Sequence, residues 1–159
     1  MSKRVHIQLN ISTPRLQGVI GLASAAGFFD GEGCIHIARQ PHPGSRRGYV
    51  YRLVVTLSQN HLATLIDFQE LVGVAGRLYH RGRQGTTNRD WYTLNYDGKA
   101  AEAVLDVLLP YLLRKRQEAE AALHFQRHCH INTHFGPKGC PADIWAKRDA
   151  LYRKLRNLK

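Results

Sequence analysis

Long apolar runs are missing from this sequence of 159 residues. No run approaches the ~20 consecutive apolar residues that a membrane-spanning helix needs. Residues 1–10 lack the apolar centre of a secretory signal. Only three cysteines occur, Cys34, Cys129 and Cys140, and an odd number without such a signal favours reduced thiols. We therefore expect an intracellular protein, in a prokaryotic cytoplasm or an organelle interior, and not a secreted one.

Acidic residues are also scarce. Twelve Asp and Glu stand against 23 Lys and Arg, which gives a net charge of +11. This excess favours a polyanionic partner, because each neutralised phosphate releases condensed counterions. The alternative is a basic protein without such a partner. A membrane-surface protein would need a basic amphipathic helix with a bulky apolar face, and no clear one is present. The charge therefore favours nucleic-acid binding.

Periodicity and turn residues predict an α+β chain in the order αββαββα, followed by C-terminal helices. Ser12 and Thr13 before Pro14 open the first helix, which is predicted over 14–30. Strands are predicted over 34–40, 49–58, 77–83 and 89–96, and further helices over 60–71, 99–108, 111–128 and 144–158. The length suits one domain over 1–159, with a core at about 12–128 and a C-terminal loop and basic helix at 129–159.

Strand alternation places apolar side chains on one face of the predicted sheet and basic or hydrogen-bonding side chains on the other. Such side chains read base edges, arginine with guanine and glutamine with adenine. An ordinary solvated face is the alternative, but this face has almost no acids. With the basic loop before the second strand, the candidate DNA-binding residues are His36, Gln40, Arg46, Arg47, Arg52, Thr56, Arg77, Tyr79, Arg81, Arg83, Arg89, Trp91 and Thr93.

An acidic turn, residues 30–33, joins the first helix to the first strand. Gly33 suits a helix stop and leaves Glu32 beside exposed backbone carbonyls. A carboxylate next to a carbonyl suits a hard divalent cation such as Mg²⁺. A carboxylate at a helix C-terminus is otherwise unfavourable, and a metal offsets this. From composition alone, an ordinary Asp-Gly turn is the simpler interpretation.

Residues 25–33, Ala-Ala-Gly-Phe-Phe-Asp-Gly-Glu-Gly, resemble the signature of the LAGLIDADG homing endonucleases, with Ala25 in place of the usual leucine. The resemblance extends to about residue 125. It implies a curved four-stranded antiparallel sheet that lies in the DNA major groove. It also implies a site-specific double-strand DNA endonuclease that hydrolyses phosphodiesters with Mg²⁺ or Mn²⁺. Because the motif occurs once, the resemblance further implies a homodimer on a long near-palindromic target.

The resemblance also assigns roles to single residues. Glu32 and the Gly31 carbonyl correspond to metal ligands, while Asp30 corresponds to a more structural acid. Gln59 matches a polar residue near the active-site water, and Lys115 matches a basic residue beside the scissile phosphate. For Lys115, a solvated helix lysine is the alternative. The dimer interface would include Gly21, Ser24, Ala25, Gly27 and Phe28, although core packing explains small residues equally well.

Two other functions are compatible with the same resemblance. One is an RNA maturase that assists splicing of the host intron, and the other is a DNA-binding regulator that does not cut. Retention of Glu32, Gln59 and Lys115 favours a nuclease. A separate question is whether zinc binds the Cys- and His-rich stretch or whether its histidines are neutral or face phosphate. The residues concerned are His124, His128, Cys129, His130, His134 and Cys140.

Overall fold

Helices and strands follow one another in the predicted order. The computed structural model describes residues 3–4, 18–83, 90–129 and 139–159. The strands are β1 (Lys3–Arg4), β2 (Gly33–Pro41), β3 (Tyr49–Gln59), β4 (Arg77–Arg83) and β5 (Asp90–Asp97). The helices are α1 (Val19–Glu32), α2 (Leu62–Val72), α3 (Lys99–Leu108), α4 (Arg116–His124) and α5 (Ala142–Asn157). The predicted α+β fold class is confirmed, whereas the predicted helix opening at 12–14 lies outside the described residues.

The sheet is antiparallel throughout, in the order β1-β4-β5-β3-β2. Its four long strands are the predicted ones, and the two-residue edge strand β1 was not predicted. Gly33 pairs with Leu57, so β2 begins immediately where α1 ends. Between β4 and β5 the register shifts at His80 and Gly82. Gly82 has φ +70°, a conformation that glycine adopts without strain at such a bulge.

The core lies between one face of this sheet and the helices. Alternate residues of β2, β3 and β5 are fully buried there, as are Phe29 of α1 and Phe68 of α2. The rings of Phe29 and Phe68 stack with centroids 6.2 Å apart. Because the helices gather on this apolar face, the polar face of the same strands is available for a partner. No helix in the described ranges is long and apolar enough to cross a membrane.

The junction between α1 and β2 requires glycine for a reason that differs from the predicted one. Gly33 is extended, with φ −74° and ψ 152°, and so is not a left-handed helix cap. A Cβ at this position would lie 2.4 Å from the Phe29 ring and 2.6 Å from its carbonyl oxygen. The tight turn therefore excludes any side chain at residue 33, and it holds Glu32 next to the first residue of the sheet.

Helix α4 begins later than predicted, at Arg116 and not at 111. A 3₁₀ turn, Leu109–Tyr111, precedes it, and a π-helical stretch, Phe125–Cys129, follows it. Three backbone N–H groups just before the helix, those of Leu113, Arg114 and Lys115, donate to the Asp30 carboxylate. Leu112, between the 3₁₀ turn and these donors, has extended backbone with φ −71° and ψ 135°, so the helix starts only after it.

Helix α5 anchors the far end of the β2–β3 hairpin. The buried Trp145 ring lies 5.2 Å from the rings of both Tyr49 and Tyr51. The Tyr51 hydroxyl donates to Asp149 at 2.5 Å, and Arg39 donates to the same carboxylate oxygen at 2.7 Å. These contacts fix the hairpin that carries two strands of the polar face.

Candidate active site and nucleic-acid interface

Glu32 is the last residue of α1, and its side chain is exposed. It forms no ion pair within the described residues. Gly31, one position earlier, is also exposed. The Glu32 carboxylate and the Gly31 carbonyl are hard oxygen donors, which fit Mg²⁺ or a similar divalent cation. The described residues contain no group of three or more potential metal ligands, so further ligands would come from DNA, water or a second chain.

Asp30 joins the end of α1 to the start of α4. Its carboxylate accepts hydrogen bonds from the N–H groups of Leu113 at 2.7 Å, Arg114 at 3.2 Å and Lys115 at 2.9 Å. Partial burial opposes ionisation, but these three donors outweigh it and hold the pKa of Asp30 below its ordinary value. Asp30 is thus occupied by structural bonds, which leaves Glu32 as the acid available to a ligand.

Lys115 lies at the same end of α1 as Glu32. Its side chain is only 4% exposed, and its ammonium donates to the Asp30 carbonyl oxygen at 2.5 Å. Burial lowers the pKa of Lys115, as does the neighbouring Arg114, while Glu118 and Asp30 oppose the shift. The alternative of a solvated helix lysine is therefore wrong. An ammonium at the negative end of a helix is electrostatically favourable, and within the described residues the Asp30 carbonyl is the hydrogen-bond partner of one of its three donors.

Gln59 is the last residue of β3 and lies at the end of that strand which is near the α1–β2 junction. It pairs with Tyr92 of β5 and lies two residues beyond Leu57, the partner of Gly33. Its side chain is half-buried. The register therefore brings Gln59, Glu32 and Lys115 to one end of the fold. Ala63, in the first turn of α2, is exposed and contributes no charge there.

The polar face of the sheet forms a concavity of about 410 Å³. Its walls come from β2, β3, β4 and β5. The lining residues are His36, Ala38, Gln40, Arg52, Val54, Thr56, Arg77, Tyr79, Arg81, Thr93, Asn95 and Asp97. Eight of them were among the thirteen predicted DNA-binding residues, so the structure brings those eight side chains to one surface. We call this surface the concave face.

Three of the predicted DNA-binding residues that the structure describes do not line the concave face. Arg46 and Arg47 lie in the β2–β3 loop, where the Arg47 guanidinium stacks 4.9 Å from the Trp145 ring centroid. Trp91 is exposed near the start of β5. Arg89 and the side chain of Arg83 lie outside the described residues.

Thr93 lines the concave face but is less accessible than predicted. It is only 6% exposed, and its hydroxyl lies 3.2 Å from that of Ser58. It therefore belongs to the floor of the concavity, where its hydroxyl already has a partner.

Asn95 and Asp97 belong to the concave face, although neither was chosen as a candidate. The alternation that places Trp91 and Thr93 on one face of β5 continues to both residues, and this signal was available. Asp97 was not considered because the predicted strand, 89–96, ends one residue before it. Among the described lining residues it is the single acid, in agreement with the expectation of a face with almost no acids, and its carboxylate forms an ion pair with Arg77.

Helix α1 presents a strip of small residues to the outside. Ser24, Gly27 and Gly31 are exposed, and Gly21 is half-buried. The structure corrects the prediction for Ala25, which is only 2% exposed because it packs in the core of its own chain. Phe28 also packs partly within its own chain, since the centroid of its ring lies 6.0 Å from that of Phe68. The available outer surface of α1 is therefore narrower than the predicted interface.

The Cys- and His-rich stretch is only partly described, because His130 and His134 lie outside the described residues. The rings of His124 and His128 lie side by side, with centroids 4.8 Å apart. Cys129 is buried and Cys140 is half-buried, and both are free thiols, as is Cys34. Burial raises the pKa of Cys129 and of Cys140.

An α+β fold that sets a basic concave sheet face beside an exposed helix-end carboxylate is suited to polyanion recognition. The sequence model of the family described as LAGLIDADG endonuclease matches residues 25–125. The chain therefore belongs to the LAGLIDADG endonuclease family, as residues 25–33 predicted. No curated protein sequence matches it.

Solved structures share this fold at low sequence identity. The homing endonuclease I-CvuI, bound to the I-CreI target in the presence of magnesium, has a TM-score of 0.70 and 24% identity, over 88% of this chain and 82% of I-CvuI. I-CeuI, encoded by a group I intron and complexed with DNA, has a TM-score of 0.63 and 16% identity, over 88% of this chain and 68% of I-CeuI. I-TnaI has a TM-score of 0.59 and 17% identity, over 87% of this chain and 97% of I-TnaI.

Proposed function

We propose that this chain is a site-specific double-strand DNA endonuclease that acts as a homodimer with a divalent metal ion, Mg²⁺ or Mn²⁺. The observation that carries the proposal is the position of Glu32. Its carboxylate is exposed, has no ion pair within the described residues, and lies immediately before β2, a strand that lines the basic concave face. Family membership supports the same activity. The structures of I-CvuI and I-CeuI in complex with DNA support a DNA substrate, and the net charge of +11 suits one.

The residues around Glu32 have complementary roles in phosphodiester hydrolysis. Glu32 and the Gly31 carbonyl would hold the cation. When bound, such a cation stabilises charge on the phosphate and lowers the pKa of water. Lys115, fixed on the Asp30 carbonyl, directs its remaining N–H donors to the charge that develops on the phosphate. The Gln59 amide orients the attacking water by hydrogen bonding.

The outer surface of α1 supports a homodimer. The apolar residues of α1 point to all sides of the helix axis. A helix that is apolar on all sides is normally covered on all sides. Within one chain, a Cβ at Gly27 or Gly31 would meet no atom within 4 Å, so a second backbone has room to approach. A symmetric pair of α1 helices would bring two Glu32 carboxylates together, one for each DNA strand. Two-fold symmetry then favours a near-palindromic target.

The test is a cleavage selection on duplex DNA. A plasmid library with randomised inverted repeats of varied spacing is incubated with the purified protein and Mg²⁺, and linear products are sequenced. We expect one family of near-palindromic sites to be cut, and chelation by EDTA to stop cutting while DNA binding persists. Selective binding without cutting would contradict the proposal and indicate a regulator. Preferential binding of intron RNA over duplex DNA would instead favour the maturase.

A further inference from the structure

The concave face contains an acidic residue whose position is not explained by affinity for DNA. Among the described lining residues, Asp97 carries the single carboxylate, while Arg52, Arg77 and Arg81 carry guanidinium groups. A carboxylate on a surface that binds phosphates weakens non-specific attraction. Because Asp97 weakens this attraction, we expect it to have a role other than attracting DNA.

Asp97 is held by backbone pairing at the end of β5, an inner strand of the sheet. It lies opposite Val54 of β3, and the next residue, Gly98, donates its N–H to the Leu53 carbonyl at 2.9 Å. The Asp97 side chain is 18% exposed. The carboxylate is therefore fixed by the sheet and partly screened from water.

The Arg77 side chain on β4 reaches diagonally to Asp97 on the adjacent strand β5. In the β4–β5 register, Arg77 lies opposite Asn95, and Asp97 is two residues further along β5 on the same face. One terminal nitrogen of the Arg77 guanidinium contacts an Asp97 carboxylate oxygen. The Arg77 side chain is 43% exposed, and a guanidinium has five N–H donors in a planar fork. The ion pair therefore restrains the Arg77 guanidinium, and this partly exposed side chain lines the concavity.

We propose that Asp97 is a positioning residue for sequence recognition, which holds Arg77 so that its free N–H donors contact guanine O6 and N7 in the major groove. This inference rests on the proposed function. Arginine to guanine is a bidentate contact whose geometry depends on the orientation of the guanidinium plane. Asp97 thus increases selectivity for guanine at one position of each half-site and decreases affinity for DNA in general.

A direct role of Asp97 is the competing explanation, because a carboxylate accepts a hydrogen bond from cytosine N4. The two roles predict different effects of single and double substitutions on base preference. If Asp97 acts through Arg77, both residues affect the same base pair, and the second substitution adds nothing to the first. If Asp97 reads cytosine itself, its substitution alters a different base pair and adds to the effect of Arg77→Ala.

The experiment is a binding selection from randomised duplex DNA with wild type, Asp97→Asn, Arg77→Ala and the double variant. We expect Asp97→Asn to bind random duplex more tightly than wild type and to show a preference for guanine at one position that is about tenfold weaker. Arg77→Ala should weaken the preference at the same position, and the double variant should match it. Asp106→Asn is the matched control. It also removes one negative charge from an ion pair, because Asp106 of α3 pairs with Arg127, and Asp106 does not line the concave face.

Three outcomes would overturn the inference. The first is an unchanged base preference in Asp97→Asn, and the second is a change in Asp97→Asn at a base pair that Arg77→Ala does not affect. The third is an equal increase of affinity in Asp97→Asn and Asp106→Asn with unchanged preference in both. If the wild-type protein selects no duplex sequence at all, the proposed function itself fails, which is a distinct result. Circular dichroism of each variant checks that the fold is retained.

Discussion

Two adjacent acids at the end of α1 have opposite surroundings. Asp30 accepts three backbone N–H bonds from the segment before α4, whereas Glu32 is exposed and has no ion pair within the described residues. Local sequence does not distinguish them, because both precede glycine. The distinction comes from residues 83 to 85 positions later in the chain. It supports a stabilising role for Asp30 and leaves Glu32 free for the ligand-binding role that we propose.

Replacement of Asp30 by alanine is expected to destabilise the fold by about 2 kcal/mol at neutral pH, since it removes hydrogen bonds to a charged acceptor. The pKa of Asp30 is lower in the folded chain, so its contribution is fully present above the unfolded pKa of about 4 and disappears as the pH falls through the folded value. Urea unfolding of both proteins at several pH values measures this. Asp67→Ala, an exposed change on α2, is the control, and a difference that does not depend on pH would contradict the account.

At the scale of elements, α1 has two faces with different partners. One face packs its small and aromatic residues into the core, including Ala25, Ala26 and Phe29. The other presents Ser24, Gly27 and Gly31 to the outside. The helix thus contributes to stability along one side, and the other side is the surface that we propose for association.

Substitution of Gly27 by leucine is expected to convert the dimer to a monomer without unfolding it. The new side chain has open space within one chain and improves helix propensity by about 1 kcal/mol, but it blocks close approach of a second α1. Sedimentation velocity measures the association, and circular dichroism measures the fold. Ala63→Leu, on the exposed first turn of α2, should leave the sedimentation coefficient unchanged. A Gly27→Leu protein that still sediments as a dimer would rule out this surface.

The sequence predicted elements better than it predicted their contacts. Strand alternation located the four long strands and the side chains of the concave face, because a half-buried antiparallel sheet imposes a period of two. The start of α4 was missed because the segment before it is held by bonds to Asp30 in α1, which is distant in the sequence. Ala25 was placed on the wrong side of α1, because a run of small residues carries no sign of which face is buried.

The candidate site was predictable to a similar extent. The family signature marked Glu32, and neighbouring family positions marked Gln59 and Lys115, which the fold brings to one end. The ion pair between Asp97 and Arg77 was not predictable, since it depends on the register of β4 against β5 and on a diagonal contact.

For the whole molecule, the excess of positive charge and the concave face act together. The net charge of +11 attracts DNA without regard to sequence, and the concave face is the surface that we propose for base recognition. Affinity and selectivity are therefore expected to depend on salt differently, because counterion release affects mainly the non-specific contribution.

Binding of random duplex DNA is expected to weaken steeply with salt, with a slope in log–log form of about −0.9 for each phosphate that the protein neutralises. Arg52→Ala, on the exposed face of β3, should make the slope less steep by about 0.9 for each phosphate that the variant no longer neutralises. Arg127→Ala should not change it, because Arg127 pairs with Glu102 and Asp106 on α3. Fluorescence anisotropy over a salt series measures the slopes, and equal slopes in all three proteins would contradict the assignment of the concave face.

The central claim is that the Glu32 carboxylate is required for DNA cleavage and not for DNA binding. The most direct measurement compares wild type, Glu32→Gln and Glu120→Gln on a plasmid that carries the selected target, with Mg²⁺ present. Glu120 is an exposed glutamate of α4, so its substitution controls for charge. The account predicts that Glu32→Gln binds as tightly as wild type but cuts at least about a hundredfold more slowly, while Glu120→Gln cuts normally. Cutting by Glu32→Gln at the wild-type rate would contradict it.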